Sequence, residues 1–409
     1  MSFLIGIGIG EHIDHPRDAG AEAAKKAVEK IGGLEYAKFA VVFASSHYDQ
    51  KELLEGINSV LVDIPTVGCT AAGVIVGNVV YEESVGVMVI GGEGIHVTAP
   101  IKIEHIGSDM RATGKAFGQK LKEGGMEDLR LALIFSDALS GNGTELVRGV
   151  FEIMGGQFAL TGGAAGDDMD FKKTYQYWNN AVFTDTAVGI GIGGNINFAT
   201  AANHGWRAIG IAHKATKTNG TTLIELDGKP AFSVYQDYFG DHANDIKKAL
   251  SLTAVTYPLG MKTDSDQIMI RVPLAVKDDG SIVCGAEVLE GSEIRLMIGT
   301  REDAISAAEE TIRKVINKVS GEKRVLFISD CVARKILFGT HKEEELTMLK
   351  NIVGENTKIF GFYSYGQIAP LDNPPRDVNT CDPGFYEQSI SLASFGERYR
   401  IVCGDPCGS

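Results

Sequence analysis

The chain has no apolar run of the ~18 residues needed to cross a membrane, and no Gly-x-x-x-x-Gly-Lys-Ser/Thr loop that would cradle a nucleotide's phosphates. Basic side chains are in deficit: 39 Lys and Arg face 53 Asp and Glu, for a formal charge of −14. Binding to a phosphate backbone or an anionic bilayer needs clustered positive charge, so this balance argues against nucleic acid and membrane partners. Met1–Gly10 lacks the basic start and the long apolar stretch of a signal peptide, which points to the cytoplasm. Cysteine is sparse, six in all at positions 69, 284, 331, 381, 403 and 407, and builds no disulfide framework. Proline is scarce as well, at 11 residues. Glycine is abundant: 50 of 409 residues exceeds the usual ~7%, so many positions need unusual backbone angles or close approach. At roughly 150 residues per domain, the length predicts two to three domains.

A pattern recurs three times. Each copy opens with a short strand, at Phe39–Phe43, Leu131–Phe135 and Val325–Ile328, followed closely by Ser45, Ser136 or Ser329. An amphipathic helix comes next. Asp49 and Glu52 cap the first ahead of Leu53, Leu54, Ile57 and Leu61; Thr144 precedes Leu146, Val147 and Val150 in the second; Leu346, Leu349 and Val353 mark the third. A second strand then runs into a small-residue turn: Val67-Gly-Cys-Thr-Ala-Ala-Gly73, Leu160-Thr-Gly-Gly-Ala-Ala-Gly166 and Phe360-Gly-Phe-Tyr-Ser-Tyr-Gly366. The copies close on strands at 85–91, 187–193 and 389–395. Three β-α-β-turn-β units predict an α/β or α+β protein with mixed sheets covered by helices. Further strands are expected at Phe3–Ile9, at 206–214 and 222–226 around Asn219-Gly220, and at 268–276 and 281–288. Helices are expected at Ala19–Ile31, at Ala231–Phe239 and after Thr300. A domain boundary near residues 218 to 226 divides the chain into 1–220 and 221–409.

The motifs Val67–Gly73, Gly162-Gly-Ala-Ala-Gly-Asp-Asp168, Gly205-Trp-Arg207, Glu225-Leu-Asp-Gly-Lys-Pro-Ala231 and Gly361-Phe-Tyr-Ser-Tyr-Gly-Gln-Ile-Ala-Pro370 resemble, in this order, those of FIST-domain proteins. The resemblance spans residues 30 to 395, with both an N-terminal and a C-terminal FIST domain. It implies a sensory, signal-transduction module that binds a small ligand, with amino acids favoured. It also implies signalling through a separate protein, because relatives carry an output domain for which this chain has no room. Where relatives carry a His-Asn-Gln-Thr run, this chain has Phe385-Tyr-Glu-Gln-Ser389 and keeps only Gln388.

Strand-end turns rich in glycine offer backbone N–H groups that suit a carboxylate, whereas an ammonium would need Asp167, Asp168 or Asp372 nearby. The same glycines equally allow tight packing alone. The candidate ligand residues are Gly68, Cys69, Thr70, Gly163, Asp167, Asp168, Arg207, Tyr363 and Tyr365. Arg207 would clamp a carboxylate beside Trp206, and the two tyrosines would wall the pocket. Cys69 is either a buried thiol or, with its pKa lowered at a helix start and His47 as base, a nucleophile. The three serines either contact a ligand or close local turns. Cys381, Cys403 and Cys407 are tail thiols, a tail disulfide or metal ligands, and His12 and His15 bind metal, sense pH or stay solvated. Gly189-Ile-Gly-Ile-Gly-Gly194 has the letters of a dinucleotide fingerprint, but no helical pattern follows it, so a glycine-packed strand is expected. No catalytic residue, cofactor or metal is assigned. A thiol- or metal-dependent enzyme is the alternative reading, and a homo-oligomer is compatible with the sequence.

Overall fold

The computed structural model describes residues 3–263, 267–319, 324–369 and 384–397. The first strand shows why glycine is so frequent. In β1 (Leu4–Gly10) glycine alternates with Leu and Ile, and a Cβ on Gly6, Gly8 or Gly10 would lie 1.9–2.1 Å from the carbonyl oxygens of Ala27, Ala23 and Ala19. Helix α1 (Pro16–Ile31) therefore lies directly on the strand through its alanine face. No other residue fits at this separation.

Unit 1 continues with β2 (Ala37–Ala44), α2 (Gln50–Asn58), β3 (Thr66–Thr70), the hairpin β4 (Val74–Val76) and β5 (Val79–Tyr81), and β6 (Val85–Gly91). A short β7 (Ile95–Val97) leads to unit 2: β8 (Ile101–Glu104), α3 (Met110–Glu123), β9 (Leu129–Ser136), α4 (Gly143–Met154), β10 (Ala159–Ala164), the hairpin β11 (Gln176–Trp178) and β12 (Ala181–Phe183), and β13 (Thr186–Gly194). Unit 3 starts at β14 (Ile196–Asn203) and is then interrupted. The inserted stretch comprises β15 (Arg207–Asn219), β16 (Thr222–Leu226), β17 (Lys229–Pro230), α5 (Ser233–Phe239), α6 (Ala243–Lys248), α7 (Leu250–Thr256), β18 (Leu259–Lys262), β19 (Ile268–Arg271), β20 (Pro273–Val276), β21 (Ile282–Cys284) and β22 (Glu293–Ile298). Unit 3 resumes with α8 (Arg301–Ile316), β23 (Arg324–Cys331), α9 (Val332–Phe338), α10 (Lys342–Val353), β24 (Thr357–Ser364), the hairpin β25 (Gly366–Ile368) and β26 (Phe385–Tyr386), and β27 (Ile390–Glu397).

Each unit forms one mixed sheet, in which β2–β3, β9–β10 and β23–β24 are parallel and the outer pairs antiparallel. The hairpins are exchanged in a ring. The unit 2 hairpin pairs with β3, the unit 3 hairpin with β10 and the unit 1 hairpin with β24. Three backbone bonds repeat the ring: Gly166 N–H donates to Thr70 O at 3.0 Å, Tyr365 N–H to Ala164 O at 3.0 Å and Ala72 N–H to Tyr363 O at 2.9 Å. Phenylalanines from all three units meet inside, with Phe43 stacked on Phe362 at 4.1 Å and edge-on to Phe135 at 5.3 Å. Such pairs contribute about 0.5–1.5 kcal/mol each beyond area burial. The inserted strands form a fourth sheet with its own core around Leu223, Tyr235 and Leu296, making a second domain. β14 pairs with β27 along its whole length, so unit 3 closes across the insertion.

Several expectations change. The turn residues Gly68, Cys69, Thr70, Gly163 and Tyr363 lie inside strands, not in turns. The copies also align one residue away from the sequence match. Gly68, Gly162 and Gly361 are equivalent, because a Cβ on each would meet the carbonyl oxygen of the neighbouring parallel strand, Val42, Ile134 or Ile328, at 1.9–2.2 Å. The three serines are not equivalent either. The backbone N–H groups of Ser45, Asp137 and Cys331 donate to matching carbonyls, Ser84, Thr186 and Ser389, so these three share one position. The helix at 231–239 starts at Ser233, Asn142 rather than Thr144 caps α4, and α9 precedes the predicted helix in unit 3. Gly189–Gly194 is a strand with glycines under Phe117 and Leu121, as expected, and the Asn219-Gly220 hairpin and the Thr300 cap of α8 are present.

Candidate functional site

The position shared by Ser45, Asp137 and Cys331 ends a central strand in each unit, next to the start of another unit's hairpin. The three junctions are filled differently. Between units 1 and 2 the chain closes on itself: Asp168 Oδ2 accepts from Ser45 Oγ at 3.0 Å, Ser46 N–H at 2.7 Å and Ser46 Oγ at 2.7 Å. Asp167 accepts from the backbone N–H groups of Phe171, Lys172 and Lys173 and from Tyr365 Oη at 2.6 Å. These bonds hold a loop in which Asp168, Met169 and Phe171 all have positive φ. Such angles cost non-glycine residues free energy, so the loop persists because the two carboxylates over-determine it. Between units 3 and 1, Lys335 Nζ donates to Ala72 O at 2.7 Å and pairs with Glu82.

The junction between units 2 and 3 is hollow. A cavity of about 200 Å³ opens there beneath the inserted domain. Unit 2 contributes Ser136, Asp137, Leu139 and Phe171; unit 3 contributes Cys331, Val332, Ile336, Tyr365, Phe385, Glu387 and Gln388; the insertion contributes Ser251, Val255, Val272, Leu274 and Gly285. Gly143 and Gly366 are glycines because the Phe385 ring lies between them, 2.2–2.3 Å from where their Cβ atoms would be. Most of the wall is apolar and a few polar groups converge on it, the usual composition of a small-molecule site.

Those polar groups have defined partners. Asp137 accepts the N–H groups of Leu139 and Asp185, both at 2.8 Å. Glu387 accepts from Val272 N–H at 3.2 Å, and burial pushes its carboxyl up to about 7 against the pull of buried Arg271 and of that N–H. Gln388, fully buried with φ 50°, donates from Nε2 to Ala254 O at 2.6 Å, while its Oε1 has no hydrogen-bond partner. Burial raises the Cys331 thiol to about 11 against the N–H groups of Ala333 and Gln388, so the thiol stays protonated and unreactive at neutral pH. Behind the wall, Arg334 is fully buried between Asp330 at 2.9 Å and Glu345, and donates to His204 O and Ala304 O, which ties α9 to both ends of the insertion.

Of the sequence-derived candidates, Tyr365 lines this cavity, stacked on Phe171 at 4.6 Å. Gly163 is next to the lining residue Ala164 in β10 but does not itself line the cavity. Gly68, Cys69 and Thr70 lie in buried strand β3, and burial holds the Cys69 thiol well above its ordinary range, the reverse of an activated nucleophile. His47 faces Glu83 instead. Asp167 and Asp168 hold the loop described above. Arg207 is exposed and paired with Asp303 at 2.8 Å, Trp206 is a core anchor whose Nε1–H donates to Val255 O, and Tyr363 is fully buried. The turn N–H groups of Ala71, Ala72, Ala165, Gly166 and Tyr365 are all bonded to backbone carbonyls, so they do not form an open carboxylate nest. His12 pairs with Glu22, and among the described residues no group of three or more His, Cys, Asp or Glu could hold a metal ion. Cys381, Cys403, Cys407 and Asp372 lie outside the described residues. Asp137, Cys331 and Glu387 were not singled out from the sequence. Counting six residues from the strand starts Phe39, Leu131 and Val325 would have found the first two, and the departure of Phe385–Ser389 from the family run flagged the third.

The FIST N domain matches residues 38–229 and the FIST C domain residues 231–370. The chain belongs to the FIST family. FIST domains are linked to signal transduction and small-ligand sensing. The chain is 23% identical over 402 residues to an uncharacterized protein of Methanocaldococcus jannaschii, covering 90% of this chain and 76% of that one. Two solved structures show weak likeness. A cyanuric acid hydrolase has TM-score 0.27 at 13% identity over 47% of this chain and 69% of its own; a PurLQS structure from Thermotoga maritima has TM-score 0.23 at 12% identity over 97% and 72%. Neither likeness bears on this FIST protein's function. No described helix is long and apolar enough to cross a membrane.

Proposed function

We propose that this FIST protein is a cytoplasmic sensor whose ligand occupies the cavity between units 2 and 3. The observation that carries this reading is the difference between junctions. At Ser45 the shared position is filled by the chain's own Asp168, whereas at Asp137 and Cys331 it opens on one hollow lined mainly by apolar groups. Both halves of the chain, 1–220 and 221–409, contribute to it. The ligand is an amino acid or a similar small anionic or zwitterionic metabolite, and the amino acids are the class to test first. Because the inserted domain supplies one wall, ligand contacts bias its position against the three-unit body, and a separate protein partner reads that bias. Burial keeps the cavity's thiol, Cys331, protonated, which favours binding over a thiol-dependent turnover.

Ser251 is exposed at the mouth of the cavity, so Ser251→Trp blocks the opening without disturbing the core. A ligand found by thermal unfolding should stabilise the native protein, by about 2.7 kcal/mol at 100 times its Kd, and should have no effect on Ser251→Trp. Equal stabilisation of both proteins would place the ligand elsewhere.

A further inference from the structure

We infer that the cavity recognises a protonated amine attached to a hydrocarbon body, and that the nitrogen, not a carboxylate, is the recognised end. This rests on the reading that the cavity is the ligand site. Its buried wall offers hydrogen-bond acceptors in excess: the Glu387 carboxylate, the Asp137 carboxylate and the unpartnered Oε1 of Gln388. Among the described residues, no Lys, Arg or His lines it. A buried acceptor without a protein partner is costly, so a ligand bringing N–H donors there would satisfy it. The aromatic rings of Phe171, Tyr365 and Phe385 line the same cavity and suit the hydrocarbon body.

The closed junction between units 1 and 2 shows the same position with the opposite chemistry. There the chain supplies hydroxyl and N–H donors from Ser45 and Ser46, and a carboxylate, Asp168, fills them. In the hollow junction Asp137 stands where Ser45 stands, so the chain itself supplies the anion. The other end of the ligand is set by the mouth, where Leu139, Phe171, Leu274 and Ile336 remain between 38% and 59% exposed. An α-carboxylate would meet the hydroxyls of Ser136, Ser251 and Tyr365 but no cationic side chain among the described lining residues, and the neighbouring turn N–H groups are already bonded. A decarboxylated amine therefore binds more tightly than its parent amino acid.

The test uses matched trios on the full chain at about pH 8, where Glu387 is ionised. These are 3-methylbutylamine, leucine and 3-methylbutanoate, and 2-phenylethylamine, phenylalanine and phenylacetate, read by thermal unfolding and calorimetric titration. The amine should raise the melting temperature most, the amino acid less and the acid not at all. Glu387→Gln should weaken the amine at least about tenfold. Gln388→Met, an independent removal of one acceptor, should weaken it as well. An acid that binds as well as its amine, or an amine indifferent to both variants, overturns the inference, as does silence from all six compounds. If a compound of another class binds and Ser251→Trp abolishes it, the cavity reading stands and only the amine is lost. If Ser251→Trp changes the binding of no ligand, the cavity reading itself fails.

Discussion

The junction between units 1 and 2 and the junction between units 2 and 3 occupy equivalent places in one threefold body, yet the first is sealed and the second is open. At the first, a long loop folds Asp168 onto Ser45 and Ser46, with three left-handed residues held by Asp167. At the second, Asp137 replaces Ser45, and β24 passes into β25 of the third unit through the short turn Ser364–Gly366. Repetition thus supplies the scaffold, and the local difference in side chains and loop length decides whether a junction is structural or free to bind.

The comparison depends first on the shared scaffold. Gly68→Ala should lower the free energy of unfolding by more than about 3 kcal/mol in urea denaturation, because its Cβ would collide with backbone of β2. Gly77→Ala, with open space around it, should cost only about 1 kcal/mol from its positive φ. Similar losses at both would deny that the close parallel strands are essential. Arg334→Met, next in size, should cost about 3–5 kcal/mol, because Asp330 and Glu345 would be left buried without their cation. Glu387 sets a pH dependence. Its carboxyl is raised from the ordinary 4.5 to about 7, so between those values the folded state holds more protons than the unfolded one. Stability from this group therefore falls as pH rises through that window, by up to about 3 kcal/mol, and stays level above it. Glu387→Gln should flatten that slope in denaturation curves, and an unchanged slope would assign it to other groups. Asp168→Asn should cost about 1–2 kcal/mol and loosen the sealed junction, seen as faster amide exchange at Ser46, without altering the open one.

Local patterns made part of this legible. The three strands with their helices, the glycine-packed strand at 189–194 and the family motifs are short-range signals, and each stands where the sequence places it. The exchange of hairpins is not such a signal, because β11 pairs with β3 and β25 with β10 through backbone groups that any residue carries. The one-residue shift arose because the matched runs set Thr161 opposite Gly68 and Gly361, whereas the approach of Ile134 O selects Gly162. Tyr365 was readable in the site because it closes a motif. Glu387 and Ser251 were not, because they are 136 positions apart in the chain and meet only through the insertion between β14 and α8. Cys69 misled because a thiol near a turn looks activated until its burial in β3 is known.

The central claim is that the hollow junction is the sensing site, and the most direct measurement is calorimetric titration of 2-phenylethylamine into wild-type protein and Ser251→Trp side by side. The account predicts saturable binding to the wild type and none to the variant. Equal binding to both would contradict it.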